Sequence, residues 1–503
     1  MLFNSYVFVF IFFPICLAGY YALLAAKKQE LAKLFLTGMS FWFYGYFNIS
    51  YLLIMAGSIA VNYLFHRLLS RRPDRRLMAL AVTLNLGVLF YFKYYDFFFS
   101  TVNQVFGTSF VLRHILLPLG ISFFTFQQIS FIVDTWRGEV QNCSLTDYAL
   151  FVSFFPQLIA GPIVNQEEML PQFASLHVPS KDDAEQEAFW QRTAQGFALF
   201  VLGLAKKVLI ADTIGKGVDY GYDNLAALGR WEAVLVIVFY SFQLYFDFSG
   251  YCDMARGLGA MLGIRIPENF RSPYKAVNIV DFWKRWHITL NRFFTKYVYI
   301  PLGGNRRGAG RMYFNLLLVF FLSGLWHGAG WNFVVWGMLH GVLYVATRFY
   351  QRRHPEKART VPEKKSVMDH IVTGVSQIAL FAYVSVAWVY FRAPGVAQAN
   401  QLLQKVWLGA KGLPSLGFAE CFQMDEFWYV LKVLHLDSMQ ISRYLLMFGA
   451  LAVCVYLAMI GRNASERAQR MRFKGISAGI FGVLLLWCIL TFSQVSTFLY
   501  FNF

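Results

Sequence analysis

The chain has 503 residues, of which 57% are hydrophobic and 15% charged, well below the roughly 25% charge of a soluble domain, so a string of water-soluble modules is excluded. The formal charge of +17 would suit nucleic acid, but the basic residues sit in short loops between apolar runs, where they suit cytoplasmic loops and anionic lipid head groups. Lipid is therefore the expected partner and nucleic acid is not.

Apolar runs near the length of a bilayer-spanning helix, about 20 residues, begin at 3–25 and recur at 33–48, 51–69, 77–99 and 114–133. The first run starts at once without a basic leader, so it reads as a span and not as a cleavable signal. Segment 145–163 is shorter and broken at Pro156 and Gly161-Pro162. Residues 164–192, with Glu167, Glu168, Asp182, Asp183, Glu185 and Glu187, read as a solvated loop. Further runs follow at 193–211 and 231–250. Segment 265–311 is rich in Trp, Arg and Lys yet also apolar, and is expected to form short amphipathic or re-entrant helices at the cytoplasmic face. Segment 312–350 is too long for one span and is expected to divide at Gly328-Ala329-Gly330. The last runs are 368–391, 442–460 and 475–495. The expected fold is all-α: one membrane-embedded body over 1–503 with about 10–13 spans.

The basic stretches Lys27-Lys28, Arg71-Arg72 with Arg75-Arg76, Lys284 to Arg311, Arg352 to Lys365 and Arg462 to Lys474 are expected to face the cytoplasm, which leaves both termini and 392–440 outside. Six scattered cysteines form no CxxC, so neither a zinc site nor a disulfide framework is indicated, and no metal is expected.

Three of nine histidines stand out. His327, in Ser323-Gly-Leu-Trp-His-Gly-Ala-Gly-Trp331, lies inside an apolar segment, where an ionisable group is costly and a functional candidate by default. Burial favours the neutral imidazole a general base requires, and the glycines after it remove bulk that would keep a substrate from the ring. The plainer alternative is a histidine hydrogen-bonded between helices. His287 lies in Asp281-Phe-Trp-Lys-Arg-Trp-His-Ile-Thr-Leu290. On an unbroken helix it would share a face with Trp283, Trp286 and Leu290, as a cavity-facing group or part of an interfacial aromatic face. His340, thirteen residues after His327, has the spacing of a haem-ligand pair, but no second pair exists, so it reads as packing. Asp247, in Tyr245-Phe-Asp-Phe-Ser-Gly-Tyr251, could cap a helix, pair with an arginine or line a pore. The Pro301-Leu-Gly-Gly-Asn305 turn before Arg306-Arg307 could hold a phosphate or rest on anionic lipid.

Taken in order, Phe154-Phe-Pro-Gln-Leu-Ile-Ala-Gly-Pro162, Tyr245 to Tyr251, Asp281 to His287, Tyr299-Ile-Pro-Leu-Gly-Gly-Asn-Arg306 and Leu325-Trp-His-Gly-Ala-Gly-Trp-Asn332 resemble the membrane-bound O-acyltransferase family, in its bacterial polysaccharide-acetylating branch. The motifs are densest over 145–340, and the ending Phe498-Leu-Tyr-Phe-Asn-Phe503 resembles the same branch. The resemblance implies a funnel-shaped membrane enzyme of the bacterial inner membrane. It implies His327 as catalytic base, His287 as the second signature residue, and Lys284, Arg285 and Arg306 on the side of an anionic donor such as acetyl-coenzyme A, with no permanently bound cofactor. It further implies a periplasmic SGNH-type acceptor protein and a polysaccharide, with alginate first and cellulose, peptidoglycan or D-alanylation as alternatives. A transporter or an export scaffold would explain the spans and broken helices equally well, but not the ordered histidine motifs.

Overall fold

The computed structural model describes the chain except residues 141, 181, 356–365, 425–431, 434, 436–438, 472–474, 495–496 and 500–503. Parts of the basic stretches 352–365 and 462–474, and most of the C-terminal motif, lie outside the described residues. Every regular element among the described residues is helical.

The helices are α1 (Phe13–Ala25), α2 (Gln29–Gly45), α3 (Ile49–Arg71), α4 (Arg75–Leu89), α5 (Tyr95–Phe106), α6 (Ile121–Trp136), α7 (Leu145–Ser153), α8 (Gln166–Ala174), α9 (Asp183–Ala205), α10 (Asp212–Asp223) and α11 (Arg230–Met261). They continue as α12 (Ile279–Arg285), α13 (Ile288–Phe294), α14 (Ala309–His327), α15 (Trp331–Arg353), α16 (Val367–Arg392), α17 (Val396–Leu408), α18 (Leu416–Glu420), α19 (Gln440–Val455), α20 (Ala464–Gln469) and α21 (Gly475–Leu490). Polar residues set their starts. Asn48, Ser144 and Asn278 cap α3, α7 and α12 with side-chain oxygens, and Asn165/Glu168 and Ser366/Asp369 form capping boxes on α8 and α16.

Seven helical stretches are both long and apolar enough to cross a bilayer: Phe8–Ala25, Ile49–Arg71, Arg75–Phe106, Arg230–Met261, Ala309–His327, Val367–Arg392 and Gln440–Ile460. The longer list expected from sequence also counted stretches that fold as α2 and α6, which are shorter, and as α9, whose first turns are charged. Six of the seven bury only 17–28% of their apolar window, leaving it for lipid, whereas α11 buries 89% and is an interior helix.

The chain forms two compact units, one from 1–204, 251–268 and 468 onward, the other from 205–250 and 269–467. In the first, α3, α4 and α6 share a polar network. Asn62 Nδ2 donates to Asn85 Oδ1 (3.1 Å) and Gln128 Oε1 (2.8 Å), and Asn85 Nδ2 returns a bond to Asn62 Oδ1 (2.7 Å). Such bonds hold helices together where water is absent.

In the second unit α14 and α15 form a tight hairpin. A β-carbon on Gly324 would lie 2.4 Å from the Phe333 carbonyl oxygen, and one on Gly337 2.4 Å from that of Phe320. Only glycine permits this backbone approach. The 312–350 segment thus divides at the expected glycines. Segment 265–311 also forms short buried helices, α12 and α13. Residues 164–192 match expectation in part: 175–180 and 182 are a loop, flanked by α8, with Met169 and Phe173 buried, and by the start of α9. Their carboxylates cluster in the first helical turns, where the helix dipole favours negative charge.

Candidate functional site

His327 is the last residue of α14. The chain turns extended at Gly328 (φ −161°, ψ 150°) and re-enters helix at Trp331. A β-carbon on Gly328 would meet the Phe333 ring at 2.1 Å. This glycine therefore seats the α15 phenylalanine and does not open the imidazole to substrate, which corrects the sequence reading. Asn332 locks the junction, donating from Nδ2 to the carbonyls of Tyr390 (3.1 Å) and Ala393 (2.9 Å) at the end of α16. The His327 ring, 2% exposed, is boxed edge-on by Trp326, Trp336 and Phe391 at centroid distances of 4.9, 4.9 and 5.2 Å.

His287 does not sit on a helix face with Trp283 and Trp286. The helix breaks at Trp286 (φ −100°, ψ 127°), and His287 takes a left-handed conformation (φ 46°, ψ 52°) before α13 begins. A β-substituted residue held there stores strain of about 1–3 kcal/mol, a device concentrated at functional sites. The break is tied from both sides. Asn291 Nδ2 donates to the otherwise orphaned carbonyls of Trp283 (2.6 Å) and Trp286 (2.8 Å). The preceding strand-like segment supplies the rest: Arg271 N–H donates to Arg285 O (2.9 Å) and Ile288 N–H to Asn269 O (3.0 Å).

The Asn269 side chain completes the clamp. Its Oδ1 accepts from the Thr289 backbone N–H (3.2 Å), the Thr289 hydroxyl (2.9 Å) and His287 Nδ1 (3.2 Å). A backbone N–H can only donate, so the amide orientation is fixed. His287 then carries its proton on Nδ1 and leaves a lone pair on Nε2. The two imidazoles lie 6.1 Å apart, centroid to centroid, with Phe248 and Trp326 also against His287. Two buried imidazoles at this spacing can flank one hydroxyl and one carbonyl.

The other candidates separate from this pair. His340 is fully buried, stacked on Phe282 and edge-on to Trp283 and Trp336, with neither ring nitrogen hydrogen-bonded among the described residues. It is a packing residue. Lys284 and Arg306 are exposed, while Arg285 is tied to Asp281 through its Nε (2.9 Å) and so presents less free charge than its sequence suggested. Asp247 pairs with a lysine: Lys207 Nζ, 1% exposed, lies 2.7 Å from both Asp247 Oδ1 and Asp212 Oδ1. Lys207 rides on a π-helical turn, Lys206–Ala211, that interrupts the helix between α9 and α10. Sequence reading missed Lys207 and Asn269. A charge within the apolar run 193–211 was a signal for the first. Asn269 carries none, being eighteen residues from its histidine.

Comparison with known proteins shows the family. The model of the membrane-bound O-acyltransferase family matches residues 80–391, which hold both histidines, Asn269 and Lys207. A peptidoglycan O-acetyltransferase of Helicobacter pylori is 38% identical over 539 aligned positions, covering 100% of this chain and 98% of the relative. A probable alginate O-acetylase of Pseudomonas aeruginosa is 36% identical over 465, covering 90% and 81%. A teichoic acid D-alanyltransferase of Bacillus subtilis is 29% identical over 250, covering 46% and 60%. With helices fit to cross a bilayer, paired histidines in ordered motifs and a match of this extent, the chain is a multi-pass membrane acyltransferase and belongs to the membrane-bound O-acyltransferase family.

Proposed function

We propose that the chain moves an acetyl group from cytoplasmic acetyl-coenzyme A to a hydroxyl acceptor across the bacterial inner membrane, for O-acetylation of a cell-surface polysaccharide, with His327 and His287 as its catalytic pair. The carrying observation is the pair itself: two buried imidazoles 6.1 Å apart, each at an engineered-looking helix end. His327 takes the proton of the attacking hydroxyl as its oxygen bonds to the thioester carbonyl carbon. The carbon–sulfur bond then breaks, and the thiolate leaves with the proton returned from the imidazolium. With its proton on Nδ1, His287 cannot donate to the oxyanion, which falls to an indole N–H such as that of Trp326; the single proton of the attacking hydroxyl goes to His327, and His287 shapes the wall beside it. Lys284 and Arg306 supply positive charge on the donor side, with Arg285 bracing α12 through Asp281.

Peptidoglycan is the polymer we favour, because the Helicobacter relative so named aligns end to end with the chain. Alginate is the second reading, supported by relatives named alginate O-acetylases that cover 80–90% of it. In this reading, which the basic loops support, the termini face the periplasm and an SGNH-type protein there receives the acetyl group. The test is acetyl content of peptidoglycan and of secreted polysaccharide in a deletion strain carrying wild type, His327→Ala or His287→Ala. Loss of acetyl groups at normal membrane levels is expected. Full acetylation by His327→Ala would overturn the assignment.

A further inference from the structure

Within the first unit a cavity of about 690 Å³ opens between the end of α1, the α8–α9 connection and the turn after α11. It shares no residue with the histidine site. Two arginines line it, Arg192 and Arg265, and neither has a carboxylate within ion-pair distance among the described residues. Arg192 is held by its side chain and Arg265 by its backbone. The Arg192 guanidinium lies 5.2 Å over the Phe189 ring and faces the Tyr21 hydroxyl, and its Nε is buried with no hydrogen-bond partner among the described residues. The Arg265 backbone is gripped from both sides by the Gln172 amide, which accepts from Arg265 N–H (2.7 Å) and donates to Arg265 O (3.1 Å).

Gly263 keeps the floor open. Its φ of +81° suits glycine, and a β-carbon there would lie 3.3 Å from Arg192 Nη2. The turn is pinned by Tyr20 and Tyr21, whose hydroxyls donate to Leu262 O (3.0 Å) and Met261 O (2.6 Å). The carboxylate on the wall, Glu185, is occupied: it accepts from Ser180 N–H (2.9 Å) and the Ser180 hydroxyl and meets His177 Nε2 at 2.8 Å. Trp190, 64% exposed, flanks the site on α9 in the manner of an interfacial anchor.

We propose that this cavity binds a phosphate-bearing ligand, with Arg192 and Arg265 as the groups that hold it. A guanidinium matches phosphate oxygens two at a time, and the Arg192 fork, already stacked on Phe189, loses little freedom on binding. A lipid phosphodiester head group and a soluble phosphate present the same chemistry here.

The test uses the purified full-length protein. Phosphatidylglycerol retention is read by native mass spectrometry from nanodiscs mixing phosphatidylglycerol with phosphatidylcholine, and inorganic phosphate binding by calorimetry in detergent. Wild type is expected to bind at least one probe. Arg192→Gln and Arg265→Gln are each expected to weaken it roughly tenfold or more, with Arg192→Lys falling between, since it keeps charge but loses the fork. Retention of phosphatidylglycerol alone identifies a lipid site, and phosphate binding alone a soluble ligand. Wild type that binds neither overturns the proposal whatever the variants do, as do monodisperse glutamine variants that bind like wild type.

Discussion

Asn269 offers the sharpest test of how the site is held. Its Oδ1 accepts three hydrogen bonds at the helix break, two from Thr289 and one from His287 Nδ1. Asn269→Leu keeps the volume and removes all three. At about 0.5–1.5 kcal/mol per bond the loss is roughly 1.5–4.5 kcal/mol. The deletion also leaves the Thr289 N–H unmatched in the interior and frees His287 to relax from its left-handed conformation. Part of the loss will appear as reduced stability. The remainder will appear as misplacement of the imidazole, and at about 1.4 kcal/mol per decade we expect acetylation to fall by about a hundredfold. Asn269→Asp keeps an acceptor for the same three donors and should retain far more activity. The assay is acetyl release from isolated polysaccharide, normalised to membrane protein by blot. An Asn269→Leu protein that acetylates at the wild-type rate refutes the clamp and with it the tautomer assigned to His287.

Three further predictions concern the scaffold. Lys207→Met takes the lysine from buried Asp247 and should cost about 3–5 kcal/mol, read as a lowered thermal midpoint in detergent, and Lys207→Met with Asp247→Asn should recover part of it; a single variant as stable as wild type counts against the buried triad. Gly328→Ala forces the Phe333 ring aside, costing about 1–3 kcal/mol, and because Phe333 packs on Phe391, which packs on His327, activity should fall more than expression; unchanged turnover would show that the ring has room. His177 is held above its ordinary value by the Ser175 carbonyl and then Glu185, while the Ser180 bonds and then His177 hold Glu185 down to about 2. A raised histidine stabilises its loop fully below the unfolded value near 6.5 and loses that support as pH rises through the folded value. Hydrogen exchange of the amides of residues 175–178 and 180, corrected for intrinsic rate, should therefore quicken as pH rises past 6.5 and through the raised value, and a pH-independent protection factor would exclude the linkage.

Much of the site was legible because membrane interiors make polar residues conspicuous. His327 stood out in an apolar run, and the glycines after it marked the division between α14 and α15. Their use was misread, since spacing cannot tell a glycine that admits substrate from one that admits Phe333. The break at His287 was invisible because nothing in Trp-Lys-Arg-Trp-His-Ile-Thr forbids helix. The clamp that imposes it comes from Asn269 and Asn291, through contacts that periodicity does not encode. The carboxylates of 164–192 are solvent-facing as composition suggested, but composition did not show that several of them sit in the first turns of helices.

The interior helix α11 also constrains how the protein is made. Synthesis delivers Lys207 to the membrane before Asp247, since the chain emerges from its N-terminus. An aspartate arriving on a new helix would be expensive in lipid, but its counter-charge is already waiting on the π-helical turn. The ion pair can thus act as a docking latch during biogenesis, drawing α11 off the lipid and into the body that later encloses it. Asp212, five residues on from Lys207 and 2.7 Å from its ammonium, holds that charge until α11 arrives.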